Sequence, residues 1–359
     1  MFGKNSSKEA LKCLADADKS NVVNKLIYDG LLSIEEEKAQ ITLKLPFHAP
    51  NWLEQLQAET AMKLASLLGK EVTWVVINKV IPLKGGSDKP ALTNINNIIV
   101  VASGKGGVGK STVSVNLALA LSKNGANVGL LDADVYGPSM PTMLGKKNAR
   151  PESSDGKLMH PIEAHDLACN SIGFLVNEND AMIWRGPMAS KALEQVLNET
   201  AWPDLDYLVV DMPPGTGDIQ LTMSQSVPVT SSVIVTTPQD VALIDAKKGI
   251  SMFRKVDTHV AGIIENMSLF TCSNCGHQEA IFGTGGGKKL AEQFYLPYLG
   301  ELPLNIHYRE DTDAGCPTVA KNEQPELVSP YLTLAEDLVI NLYKDLQPAV
   351  QQIQITELK

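Results

Sequence analysis

Beyond residue 97 the chain alternates between two rhythms of apolar and polar positions. Short, nearly unbroken apolar runs occupy residues 98–102, 128–132, 207–211, 232–236 and 261–266. Between and after them, residues 111–124, 188–198, 243–255, 288–293 and 331–346 read as helices. An unbroken apolar run predicts a strand buried on both faces, and strands alternating with helices predict a parallel sheet covered by helices. Ligands bind such sheets at the carboxyl ends of the strands. The most conspicuous polar residues of this chain fall there.

Before residue 83 the rhythm differs. Residues 39–45, AQITLKL, alternate as a half-buried strand does. Residues 49–68 predict a helix, with Trp52, Leu56, Met62, Leu64, Leu67 and Leu68 on an apolar face and Gly69 as its stop. Residues 71–77 form another β-rich run, residues 8–14 have helix-like composition, and residues 24–30 read as the end of a short strand or a turn. The order α-β-α-β predicts a small α+β domain over residues 1–82. Gly85, Gly86, Ser87, Asp88 and Pro90 give residues 83–96 the composition of a linker. A large domain over 97–347 and a tail over 348–359 complete the division.

The first apolar run opens into IIVVASGKGGVGKST. Gly104, Gly109, Lys110 and Ser111 fit the spacing G-x-x-x-x-G-K-[ST] of a phosphate-binding loop. Glycines let the backbone turn its N–H groups onto phosphates, and the following helix offers its N-terminus to the same anion. Lys110 is placed for the β/γ-phosphates and the Ser111 hydroxyl for Mg²⁺. A chance glycine loop is the alternative, but here strand, loop and helix all fall where the chemistry needs them. The expected architecture is an α/β P-loop NTPase fold with a mostly parallel sheet flanked by helices, plus the small N-terminal domain.

Two further strands end on carboxylates. VGLLDADVY places Asp132 and Asp134 after the second strand, where they could cap a turn or orient water and Mg²⁺. LVVDMPPGTGD closes a strand with Asp211, as a metal-holding carboxylate requires. Gly215 to Asp218 then form a loop that could answer to the γ-phosphate, or a plain strand-to-helix turn.

Composition narrows the setting. A chain of 359 residues, 44% hydrophobic and 20% charged, reads as about two globular domains. A formal charge of −10 argues against general nucleic-acid binding. No apolar run approaches the length of a membrane span, the first residues lack a signal-peptide core, and the leucine-rich C-terminal helix carries acidic rather than basic residues. The expectation is a soluble, cytoplasmic protein with neither nucleic-acid nor membrane partners.

Of the five cysteines, only Cys272 and Cys275 stand at metal-ligand spacing, in FTCSNCG. Zinc and a four-iron cubane each need four ligands, so one C-x-x-C is half a site. His277 with another residue could complete a zinc site, the thiols could be a redox pair, or two chains could each supply two cysteines. Cys13, Cys169 and Cys316 read as small buried hydrophobes. His48 and His160 have no motif around them.

With Lys105 the loop reads KGGVGKS, which resembles the deviant phosphate loop of the MinD/ParA/nitrogenase-iron-protein class of dimeric ATPases. Together with DADVYGPS, WRGPM at residues 184–188, DMPPGTGD, Gly283 to Gly287 and Cys272/Cys275, residues 96–345 resemble the Mrp/ApbC (Mrp/NBP35) family of iron–sulfur cluster carriers. The resemblance implies ATP and Mg²⁺ held by Gly104, Lys105, Gly106, Gly107, Val108, Gly109, Lys110, Ser111 and Thr112. It implies catalytic roles for Lys105, Lys110, Asp134 and Asp211, with Lys105 reaching across a homodimer, Asp134 positioning water, and Ser111 and Asp211 serving Mg²⁺. Asn266, in IIENMS, matches an adenine contact, whereas Asn305 stands where the family usually has Asp. Cys272 and Cys275 match a pair that bridges a [4Fe-4S] cluster between two chains, for transfer to apo iron–sulfur proteins and exchange with assembly scaffolds. Residues 1–82 resemble a MIP18-type domain, expected to share the fold without handling a cluster. A MinD/ParA-like positioning ATPase has no need of the cysteine pair and expects a basic surface. A reductase like the nitrogenase iron protein takes its cluster cysteines from separate places in the chain.

Overall fold

The structure, a computed structural model, describes residues 3–86, 92–154, 156–175, 186–217, 220–221, 224, 227–272 and 274–349. It begins with α1 (Gly3–Ala17), α2 (Val22–Tyr28), β1 (Leu32–Glu35), β2 (Gln40–Leu45), α3 (Pro50–Leu68) and β3 (Thr73–Asn78). The three strands make a sheet in the order β1-β2-β3, antiparallel then parallel.

The chain continues through β4 (Ile95–Ala102), α4 (Lys110–Lys123), β5 (Val128–Asp132), α5 (Met140–Met143), β6 (Ile162–Ala164), β7 (Leu167–Ser171), α6 (Gly186–Asn198) and β8 (Leu205–Asp211). Then come β9 (Ser231–Thr236), α7 (Asp240–Lys255), β10 (Val260–Glu265), β11 (Phe270–Thr271), β12 (Gln278–Glu279), α8 (Gly286–Phe294) and β13 (Tyr298–Glu301). The last helices are α9 (Ile306–Asp313), α10 (Thr318–Lys321) and α11 (Pro325–Asp345). The main sheet has the order β13-β10-β9-β4-β8-β5-β7-β6, parallel except for the edge pair β6–β7.

The apolar runs become strands because both faces are covered. Along β4, Ile98, Val100 and Ala102 enter the core under α6, α7 and α8, while Ile99 and Val101 enter the one under α4 and α11. The carboxyl ends of β4, β5, β8, β9 and β10 lie along one edge, which is where the phosphate loop and the carboxylates emerge.

Several elements depart from the sequence reading. Residues 24–30 are mostly helix α2 rather than a strand end, because the buried Asp18 receives the Val23 N–H at 2.7 Å and the Trp52 indole N–H at 3.0 Å. The β6–β7 hairpin escapes prediction because His165 and Asp166, both at positive φ, form its turn without the usual glycine. Residues 83–86, read as linker, are strapped down. Leu83 bridges Pro348, and the Lys84 N–H meets the Gln347 carbonyl at 2.8 Å. A Cβ on Gly85 would lie 2.3 Å from the Val229 carbonyl oxygen. Residues 87–91, and 350–359 of the tail, lie outside the described residues. Among the described residues no helix is long and apolar enough to cross a membrane.

The small sheet does not stand apart. Leu14, Leu26, Leu43 and Phe47 share one apolar cluster with Leu334, Leu338 and Tyr343 of α11. The buried Glu336 carboxylate accepts the backbone N–H of Asn51 at 2.9 Å, its side-chain amide at 2.7 Å and the backbone N–H of Trp52 at 2.9 Å. Ala49 supplies no side-chain cap to α3, so Glu336 caps that helix from across the molecule. The Tyr343 hydroxyl donates to Asp29. Glu336→Ala therefore uncaps α3 and is expected to cost about 1–2 kcal/mol in urea unfolding, against about 1 kcal/mol or less for Asn51→Ala.

Candidate functional site

The phosphate loop is built by close approach. A Cβ on Gly104 would lie 2.1 Å from the Asp245 carbonyl carbon, so only glycine lets the loop rest on the backbone of α7. Gly109 adopts φ +79°, and a Cβ there would lie 2.3 Å from the Asn266 side-chain nitrogen. The Ser103 hydroxyl donates to the Lys105 carbonyl at 2.9 Å, and the Gly215 N–H to the Ser103 carbonyl at 3.0 Å. Gly106 and Gly107 are exposed at the tip, and Val108 is buried. Lys105 is half-buried, and its ammonium has no carboxylate partner among the described residues.

Asp211 gathers the first turns of α4. The Lys110 ammonium donates to Oδ1 at 2.7 Å, the Ser111 hydroxyl to Oδ2 at 2.6 Å, and the Ser114 hydroxyl to Oδ1 at 2.6 Å. Lys110 Nζ and Ser111 Oγ lie 3.3 Å apart. The carboxylate is fully buried and Lys110 is 6% exposed, so this pair sits where charge attraction is weakly screened. Ser114 escaped the sequence reading. Its signal was its spacing, one helical turn beyond Lys110.

Asp132 faces Asp211 in register on the adjoining strand β5. It takes the Ser139 and Met140 N–H groups at 3.1 and 3.2 Å, the Asp134 N–H at 3.1 Å and the Ser171 hydroxyl at 3.0 Å. Burial, and then the charge of Asp211, push this carboxyl up to about 7. These contacts hold the turn that leads to Asp134. Asp134 stands beyond it, partly exposed, and close enough to feel both Lys110 and Asp211. Burial raises its carboxyl and Lys110 opposes that rise.

Asn266 follows β10. Its amide donates to the Val108 carbonyl at 2.8 Å and its backbone N–H to the Thr236 carbonyl at 2.7 Å. Thr112 lies in the first turn of α4 and accepts the Asn116 amide at its carbonyl, 2.9 Å away. Asn305 caps α9, accepting the His307 N–H at 2.9 Å. Trp184 and Arg185 of WRGPM, and Asp218, lie outside the described residues.

Cys272 and Cys275 occupy the turn of the β11–β12 hairpin. The Cys272 N–H meets the His277 carbonyl at 2.9 Å, and the Gly276 N–H meets the Cys272 carbonyl at 2.9 Å. Cys275 is exposed and Cys272 half-exposed. Backbone N–H groups of Asn274 and Cys275, and the Cys275 side chain, hold the Cys272 thiol below its ordinary range, which favours a metal-binding thiolate. Cys13 and Cys169 are buried as expected, and burial raises both thiols, whereas Cys316 is half-exposed because it lies in the loop between α9 and α10 rather than in a core element. Among the described residues no three His, Cys, Asp or Glu side chains gather where they could hold a metal ion.

Residues 94–339 match the family described as ParA, the NUBPL iron-transfer P-loop NTPases. This chain belongs to that family. An iron-sulfur cluster carrier protein of Escherichia coli K12 is 51% identical over 346 residues, covering 94% of each chain. The iron-sulfur cluster transfer protein NUBPL of Mus musculus is 49% identical over 261 residues, which are 72% of this chain and 82% of that one. Among solved structures, a nucleotide-binding protein from Archaeoglobus fulgidus in complex with ADP superposes with a TM-score of 0.57 at 36% identity, covering 64% of this chain and 90% of its own. The septum site-determining protein MinD of Pyrococcus horikoshii has the same fold, with a TM-score of 0.50 at 22% identity over 67% of this chain and 95% of its own.

Ser114→Ala removes one of three donors to Asp211 and leaves the other two. It is expected to lower kcat for ATP hydrolysis about fivefold, the worth of roughly 1 kcal/mol, with KM changed less than about twofold. Steady-state phosphate release measures both.

Proposed function

We propose that this chain is an ATP-hydrolysing carrier that holds a [4Fe-4S] cluster between two copies of itself and passes it to apo iron–sulfur proteins. The observation that carries this reading is the hairpin with two cysteines. It presents two thiols outward, tunes one toward thiolate, and has no third ligand nearby among the described residues. Two such hairpins make a four-cysteine site. The carrier names of the E. coli and mouse relatives favour the same reading.

ATP is assigned to the loop Gly104–Gly109 and the first turn of α4. Lys110 would turn from Asp211 toward the phosphates, and backbone N–H groups of the loop would cradle them. Ser111 and Asp211 fit Mg²⁺, since their oxygens lie 2.6 Å apart at a fully buried carboxylate. Bound there, Mg²⁺ would neutralise charge developing on the transferred phosphoryl group. Asp134, raised by burial yet open to solvent, is assigned to orienting water. Lys105, with no carboxylate partner among the described residues, is assigned to the nucleotide of the second copy. Asn266 keeps its side-chain carbonyl for the base while its amide holds Val108. We place these functions in residues 97–347, with residues 1–82 as a domain packed onto α11, and the protein in the cytoplasm.

Lys110→Ala is expected to abolish ATP hydrolysis, and turnover at the wild-type rate would refute the phosphate-loop assignment. Anaerobic reconstitution with iron and sulfide should give about four irons per two chains, a visible cluster absorbance and a dimer mass. Cys272→Ala/Cys275→Ala should lose all three. A wild-type chain that takes up zinc alone, or no metal, would overturn the carrier reading.

A further inference from the structure

Glu265 and Asn266 form a junction between the phosphate loop and the cysteine hairpin. Glu265 ends β10 and is fully buried. Its carboxylate accepts the N–H of Gly285, at 3.1 Å, and that of Gly287, the groups that open α8. No cation pairs with it among the described residues, so backbone donors and the positive end of the helix balance its charge. Asn266 is tied to the phosphate loop through the Val108 carbonyl. The segment carrying Cys272 and Cys275 thus leaves the sheet at Asn266 and returns, at Gly285, to the side chain of Glu265.

A second contact runs beside the first. The early turns of α7 lie between the phosphate loop and the start of α8. Gly104 presses on the backbone at Asp245, and a Cβ on Gly286 would lie 2.6 Å from the Leu243 side chain and 2.8 Å from the Pro238 carbonyl oxygen. Both approaches are close enough to require glycine at those two positions. A displacement of the peptide between Val108 and Gly109 must move Asn266, because the Asn266 amide fills the space a Gly109 side chain would need.

We infer that Glu265 is a positioning residue for the Cys272/Cys275 pair and, with Asn266, couples occupancy of the phosphate loop to the presentation of that pair within one protomer. The inference rests on the proposed carrier function for what the thiols hold, but the coupling is a property of the chain itself. It is reciprocal: whatever nucleotide does to the thiols, a ligand on the thiols does to nucleotide affinity.

The test uses full-length, metal-free protein and reads iodoacetamide alkylation of Cys272 and Cys275 by peptide mass spectrometry, with and without Mg-ADP. Wild type is expected to change its alkylation rate about fivefold when nucleotide binds. Glu265→Gln turns a side-chain amide toward a backbone N–H. It should alkylate at one rate regardless of nucleotide, with ADP affinity within about twofold of wild type. Gly287→Ala is the milder variant, because its Cβ would sit 3.0 Å from the Glu265 Cβ and 3.1 Å from Oε2 and so shift the carboxylate. It should show a reduced response, and it decides the matter if Glu265→Gln does not fold. Wild-type thiols indifferent to nucleotide, or a full response retained in the folded variants, would overturn the coupling. No cluster enters this assay, so a failed reconstitution sinks the carrier reading without touching this result, and the reverse also holds.

Discussion

A fully buried carboxylate has to be matched by donors, and in this chain Asp211 carries that constraint. Its three partners come from the first, second and fifth residues of one helix, Lys110, Ser111 and Ser114. Together they fix how α4 is rotated about its axis, and so where the preceding loop points. The strand register extends the same constraint sideways. Asp132 sits beside Asp211, and two carboxylates so close in a dry site cannot both be ionised without help. Backbone N–H groups and the Ser171 hydroxyl supply that help to Asp132, and in doing so shape the loop that leads to Asp134 and α5.

The sheet and its nucleotide edge were legible in the sequence because their signals are local. Runs such as VGLLD are apolar throughout only if both faces are covered, and residues 128–132 form β5 with those bounds. The glycine spacing of the phosphate loop is likewise a backbone requirement written in residue types. What could not be read has non-local causes. Glu336 gives no sign in sequence that it caps a helix beginning at Pro50. Glu265 reads as one acidic residue at a strand end, yet its value lies in glycines twenty positions later. Residues 83–86 have the composition of a linker because their glycines permit close packing, and the same composition permits looseness.

The cysteine pair lies between these cases. Its spacing announces a soft-metal ligand, and the hairpin adds how it is presented: outward, on a turn whose N–H groups favour thiolate. The hairpin has little core of its own. Its position is inherited from β10, from α8 and from the backbone at Leu302 and Leu304, so the phosphate loop and the thiols share β10 as a foundation.

The packing of residues 3–86 against α11 has a consequence for synthesis. Asn51 emerges from the ribosome long before Glu336, 285 residues later, and the strap at Leu83 waits for Pro348. The apolar side chains around Phe47 must therefore stay uncovered until α11 arrives to close over them. Contacts this distant in sequence close slowly. A chain stalled before α11 would leave open both the N-terminal face and the face of α4 that this helix covers. That makes the arrival of α11 the step that closes an apolar face a chaperone would otherwise hold.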